Sequence, residues 1–255
     1  MIIEKVHSKK YTTFDDRSYE KLLTTIRRMT AYSLDAPSTE KKLDIFFDSP
    51  DGLLYKYNLL LRKRIVGSKA KLNIMRVHDE EQYAYMDHLR SSQREQEIGV
   101  TDPLSKHFFF LNNALNSMFT SALQFDPDKL FEQMQVIMTI DIAEEKRIIL
   151  GFGGLKLELK YEMLKFQNKI TNRKNAINIV KFTMLSPEET LPYFEDFVAK
   201  VERKFKEIFA NKDNKFELAT RMTKPLPSKE ETKKRLQELE KQKRLEKNGL
   251  TALKK

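Results

Sequence analysis

Arg62 and Arg64 lie two residues apart in the run Leu59-Leu60-Leu61-Arg62-Lys63-Arg64-Ile65, where their type and spacing could do chemistry. In a strand the side-chain period is two, so Leu60, Arg62 and Arg64 share one face while Leu59, Leu61 and Lys63 share the other. Two guanidiniums about 7 Å apart, two steps of strand rise, suit an anion with several oxygens. Arginine stays charged and grips phosphate with a two-pronged fork; an exposed basic strand is the plainer alternative. Glu95 and Glu97 also share a strand face. Like charges side by side repel, so if they point inward they need a divalent cation or nearby arginines. The cleanest alternation runs from Leu155 to Met163: Leu155, Leu157, Leu159, Tyr161 and Met163 on one face, Lys156, Glu158, Lys160 and Glu162 on the other. The apolar face must pack against helices or a second sheet; the charged one is compatible with solvent or with a charged interior.

The elements that must position these residues can be read around them. Asp44 to Ile65 reads as strand, tight loop, a short helical or extended link, and a second strand. In the loop Pro50 presets φ and Gly52 tolerates positive φ. Residues 2–14 carry the β-branched and aromatic content of a strand. Residues 15–29 form an amphipathic helix with Asp15 or Asp16 at its start, Arg27 and Arg28 at its end, and Tyr19, Leu22, Leu23 and Ile26 as its packing stripe. Residues 42–48 and 69–77 are strands; in the latter Lys71, Asn73, Met75 and Val77 oppose Leu72, Ile74 and Arg76. Residues 78–92 form a loop that keeps His78 and His88 at the surface. Residues 102–131 are helical and apolar, and 133–142 a buried strand, after which Glu144, Glu145 and Lys146 imply a turn. Residues 176–184 are the last long strand. Ser186-Pro187-Glu188-Glu189 then caps a helix through Phe194, Phe197, Val201, Phe205 and Phe209. Past Pro225 and Pro227 the chain is charged throughout, with Glu-to-Lys pairs at helical spacing, and reads as a protruding or frayed helix.

Composition sets the bounds. The 255 residues are 40% hydrophobic with 17 Phe, enough for a large core. No window approaches ~18 uninterrupted apolar residues, so no membrane span is expected. Zero cysteines exclude disulfides, thiol catalysis and cysteine-ligated zinc. With no hydrophobic leader, a cytoplasmic protein is expected. The formal charge of +10 favours polyanionic partners, though much of the excess lies near the C-terminus.

Phe47-Asp48-Ser49-Pro50-Asp51, followed by Leu54 and then Leu61-Arg62-Lys63-Arg64, resembles the signature of the CYTH superfamily, the triphosphate tunnel metalloenzymes. The resemblance covers residues 2–224 unevenly. It implies an α+β fold: an antiparallel β-barrel or tunnel with helices packed outside, over residues 1–224, and a separate charged tail over 225–255. It also implies an activity, divalent-metal-dependent hydrolysis of a linear triphosphate (inorganic triphosphate, a nucleoside triphosphate or an RNA 5′-triphosphate). A degenerate tunnel that binds a phosphorylated ligand, nucleotide or RNA without hydrolysis is the first alternative, and a class IV adenylyl cyclase the second. Matched motif by motif, Arg62, Arg64, Arg76, Arg147, Lys160, Lys181 and Lys215 would hold phosphate oxygens. Glu4, Glu95, Glu97 and Glu158 would hold Mg²⁺ or Mn²⁺, which polarises the phosphoryl group and acidifies the attacking water. The chain departs from the pattern at Val6 and Ser8 and at Asn178, Ile179 and Val180, where metal-binding acids would stand. The expected partners are a triphosphate compound or an RNA 5′ end, with nucleic acid or protein contact through the tail and no membrane.

Overall fold

A computed structural model describes residues 7–13, 15–76, 94–118 and 126–224. In chain order come β1 (Ser8–Thr13), α1 (Asp16–Arg27), β2 (Ser33–Leu34), β3 (Ser38–Asp48), a single helical turn α2 (Leu53–Lys56), β4 (Leu59–Val66), β5 (Lys69–Arg76) and β6 (Arg94–Ile98). Then follow α3 (Phe108–Met118), α4 (Pro127–Glu132), β7 (Gln135–Leu150), β8 (Lys156–Asn168), β9 (Lys174–Met184), α5 (Leu191–Lys204), β10 (Ile208–Ala210) and α6 (Lys215–Thr223). The strands make one sheet in the order β10-β1-β9-β8-β7-β3-β4-β5-β6, with β2 also on β7. Every pairing is antiparallel. This is the expected α+β architecture; among the described residues β10 and β6, the two ends of the sheet, are not joined by hydrogen bonds.

Local chemistry fixes the elements around the arginines. The Asp48 carboxylate accepts the backbone N–H groups of Ser49, Leu54 and Tyr55. It thereby satisfies donors at the start of α2 that would otherwise be orphaned. Gly52 enters the turn at φ 69° and Asn58 leaves it at φ 62°, a region that Gly and Asn tolerate best. The link is thus pinned at both ends. It sets β3 against β4 with Asp44 opposite Arg64 and Phe46 opposite Arg62.

Residues directly opposite in a ladder share a face, so the pairings sort the whole sheet into two. The outer face carries two cores. One joins Tyr11, Leu157, Leu159, Tyr161, Val180 and Phe182 to α1 and α5; the other joins Leu59, Leu61, Leu72 and Ile74 to α3 and α4. The inner face has its own apolar cluster, in which Phe46, Leu60, Met75, Ile140, Ile142, Leu164, Phe166 and Ile179 meet Phe216, Leu218 and Ala219 of α6. Leu60 belongs to β4 and Ile179 to β9, with three strands between them in the sheet order. For both to share one buried cluster the sheet must curl, in the sense of the twist that closes barrels.

Several expectations are corrected here. β7 runs unbroken through Glu144, Glu145 and Lys146, where a turn was expected. The charges are tolerated because Glu144 and Lys146 face inward to ionic partners, while Glu145 accepts from Arg147 and Tyr19 on the other face. The helix after Ser186 ends at Lys204, and Phe209 lies half exposed on β10, outside the core stripe. Its start carries no side-chain cap of the expected kind; Ser186 pairs instead with the Thr190 hydroxyl. The loop at 78–92, with His78 and His88, and the tail at 225–255 lie outside the described residues, as does Glu4.

Candidate functional site

Four lysines stand in register across four adjacent strands of the inner face. Lys10 of β1 is opposite Lys181 of β9, Lys181 opposite Lys160 of β8, and Lys160 opposite Lys146 of β7. Directly opposed side chains sit roughly 5 Å apart at Cβ, and like charges so placed are destabilising. The row flanks a cavity of about 450 Å³ whose walls include Lys10, Arg62, Arg64, Lys160, Lys181 and Lys215. Lys and Arg outnumber acids in that wall by eight to one. Ser8 and Ile179, two of the positions where the resemblance expects carboxylates, also line it.

The next row inward puts Glu162 opposite Glu144, both almost fully buried. Their charges are compensated on the spot. Lys42 reaches both oxygens of Glu144 at 2.9 Å, Lys146 approaches it at 3.2 Å and Lys160 at 3.8 Å. Glu162 holds Lys215 of α6 at 2.6 Å, with Lys160 at 4.0 Å. Burial works against the charged form of Glu144, yet the Lys42 hydrogen bond and the charges of Lys160, Lys42 and Lys146 hold its carboxyl at about 2. Burial likewise opposes the charge on Lys42, but Glu144 and Glu40 keep its ammonium above the ordinary value.

Asp44 is the third buried carboxylate, fully enclosed on β3. Arg64 grips it in a fork of 2.7 and 2.6 Å, and Arg62 stands 3.8 Å away. Against the cost of burial, Arg64, Arg62 and Lys215 keep the Asp44 carboxyl below the usual range. Asp44 therefore spends part of the arginines' charge on holding them in place.

Of the residues singled out from the sequence, Arg62, Arg64, Lys160, Lys181 and Lys215 meet at this cavity. Arg76 does not: opposite Leu59 it stands on the outer face, and donates to the Met118 carbonyl at the end of α3. Arg147 is likewise on the outer face, opposite Leu159, bound to Glu145 and the Asp35 carbonyl. Those proposed metal ligands that are described do not gather into one cluster. Glu158 faces inward on β8, opposite Thr183. Glu95 and Glu97 lie on β6, the last strand of the sheet, where Glu95 accepts from Lys71 and Asn73. Burial opposes the charge of Glu95, and those two donors, with Lys71 and Arg62 charges, hold its carboxyl below its ordinary value. Among the described residues no three acidic or histidine side chains gather as metal ligands. Glu162, the carboxylate among the lining residues, is held by Lys215 and Lys160, and the buried Glu144 and Asp44 by lysine and arginine, so these described residues do not fit a divalent ion. Sequence reasoning missed Lys10, Lys42, Asp44, Glu144 and Lys146. The signal for Lys10 was present, since Ser8, Lys10 and Thr12 alternate on β1.

The geometry defines a curled antiparallel sheet around a cation-walled cavity. No family model matches the chain, and no curated protein matches it. Solved structures do resemble it. A candidate adenylate cyclase from Bacillus halodurans is 12% identical, with a TM-score of 0.46 over 84% of this chain and 96% of that one. A candidate adenylyl cyclase from Hippeastrum, whose dominant activity is described as triphosphatase, is 14% identical, with a TM-score of 0.42 over 88% and 98%. An inorganic triphosphatase is 11% identical, with a TM-score of 0.29 over 74% and 79%. All three TM-scores lie below 0.5, and the reading of the cavity rests on its own residues. Among the described residues no helix is long and apolar enough to cross a membrane.

Proposed function

We propose that this chain holds a linear oligophosphate in the cavity beside the lysine row, with residues 1–224 carrying the function and 225–255 a separate segment. The observation that supports this most is the in-register run Lys10, Lys181, Lys160 and Lys146. A row of opposed ammonium groups is a poor way to stabilise a sheet. It is a good way to meet an anion that spreads charge along a chain, because each phosphate brings acceptor oxygens to a different strand. Arg62 and Arg64 add guanidinium charge on the facing wall, and Lys215 closes the α6 side. Inorganic triphosphate, a nucleoside triphosphate and an RNA 5′-triphosphate all present this chemistry.

Hydrolysis, with Mg²⁺ or Mn²⁺ as cofactor, is the second reading. What favours it is the pair of buried carboxylates, Glu144 and Glu162, set under the phosphate-binding groups. What weighs against it is their engagement by four lysines, which occupies both carboxylates and leaves Glu144 weakly basic. Binding is therefore the reading we put first.

Titration calorimetry with tripolyphosphate tests it, using the full chain and Lys160→Ala and Lys181→Ala variants. Each variant should bind about tenfold more weakly, the loss of roughly one charge-assisted hydrogen bond. Equal affinity in all three proteins would remove the lysine row from the site. Phosphate release in the same samples would promote the second reading over the first.

A further inference from the structure

We infer that the cavity binds its oligophosphate without a divalent cation, because lysine ammonium groups already occupy the positions on the buried carboxylates that a cation would take. The inference rests on the oligophosphate reading above and deepens it. A metal ion bound in a phosphate site does two things: it neutralises protein carboxylates, and it offsets phosphate charge. Here both tasks fall to side chains. Glu144 is held by Lys42, Lys146 and Lys160, and Glu162 by Lys215 and Lys160. Asp44 is held by Arg64 and Arg62.

Placing a doubly charged ion between Glu144 and Glu162 would require displacing Lys42, which makes two 2.9 Å contacts, and Lys215, which makes one at 2.6 Å. The ion would then sit among the displaced ammonium groups in a partly enclosed space, where like charges repel more strongly than in water. Removing a carboxylate from its lysines also leaves those lysines without their partner in the absence of ligand. The phosphate chain faces no such obstacle. It approaches the outward side of Lys160, whose inward side is already on the carboxylates, and meets Lys10 and Lys181 on the neighbouring strands.

The second task, offsetting phosphate charge, is met by the excess of lysine and arginine in the wall. Ser8 and Ile179 border the same space with a hydroxyl and a hydrocarbon, so the wall gains no anionic charge there for an ion to neutralise.

Tripolyphosphate titrated into the full chain in EDTA and again in excess Mg²⁺ decides the matter. The expected result is an affinity in EDTA that equals or exceeds that in Mg²⁺, since Mg²⁺ would only shield the ligand from the lysines. An affinity in EDTA more than about tenfold weaker would overturn the inference while leaving the oligophosphate site standing. No binding in either buffer would sink the oligophosphate reading and this inference with it. Mg²⁺ alone, without phosphate, supplies a second measurement on unmodified protein. It should leave the melting temperature of the full chain unchanged, and should raise that of Lys42→Ala/Lys215→Ala, in which each glutamate has lost its shortest lysine contact. A clear Mg²⁺-dependent rise in the unmodified chain, as large as in the variant, would show that the lysines do not exclude the ion and would overturn the inference too.

Discussion

On the inner face of the sheet, the rows built on Phe46, Ile140, Ile142, Leu164 and Phe166 lie only a few residues along the same strands from the rows built on Glu144, Lys146, Lys160 and Glu162. The first set is filled by the chain's own α6, through Phe216, Leu218 and Ala219. The second borders a cavity through Lys160 and Glu162. Burying a phenylalanine against apolar rows gains roughly 1.5–3 kcal/mol. Pressing the same side chain onto lysines and glutamates would strip water from charges without replacing it. The residue type of each row thus decides whether the space beside it is closed by protein or left open.

The contrast can be broken most sharply at its apolar end. Phe216→Ala should cost about 3–5 kcal/mol in denaturant unfolding, because Phe216 is almost fully buried against Phe46 and Tyr55. A loss under about 1 kcal/mol would mean that α6 does not seal the apolar rows.

The charged end should answer to pH instead. The folded-state pKa of Glu144 is depressed to about 2, so its pairing with the lysines is fully present above its ordinary value of 4.5 and fades as pH falls towards 2. The contribution at stake is about 3 kcal/mol. Asp44 acts in the same direction. Unfolding free energy followed between neutral and acid pH should therefore fall in that window, and Glu144→Gln should flatten the fall. An unchanged slope in the variant would show that the pairing contributes nothing. Lys42, held above its ordinary value, adds stability that is lost only at strongly alkaline pH.

Salt separates the two ends further. Raising ionic strength to about 0.5 M shrinks the screening length to a few ångströms. Tripolyphosphate binding should then weaken by about tenfold or more, while resistance to denaturation changes little. Binding indifferent to salt would contradict a site made of charge. The smallest effect is expected from Phe209→Ser on β10: half-exposed Phe209 belongs to neither set of rows, and its loss should stay within about 0.5 kcal/mol.

Period-two alternation made much of this legible in the sequence. It separated Arg62 and Arg64 from Lys63, and Lys160 and Glu162 from Leu159 and Tyr161, and the ladders agree with both separations. Alternation names a face but not what lies across from it, and there the reading failed. Arg76 and Arg147 have the right side chain on the wrong face. Glu144 and Lys146 looked like turn residues because a run of charge is usually solvated. Only cross-strand partners 102 residues away in sequence, such as Lys42 for Glu144, make a buried strand of them. Asp44 was passed over for the same reason: its role depends on Arg64, fixed opposite it by the pinned turn between β3 and β4.

The ladders also set an order of assembly. β3, β4 and β5 are joined by short connections, so the Asp44–Arg62–Arg64 wall needs only local loop closure. Lys10 instead reaches the Asp213 carbonyl across 203 residues, and β1 pairs with β9 and β10. Contacts that distant are the slow ones, since the whole intervening chain must first be gathered. One wall of the cavity can therefore form early and the other only when the C-terminal strands arrive. A nascent chain carries the arginines and Lys10 but still lacks Lys146, Lys160 and Lys181, so the proposed anion site is completed late in folding.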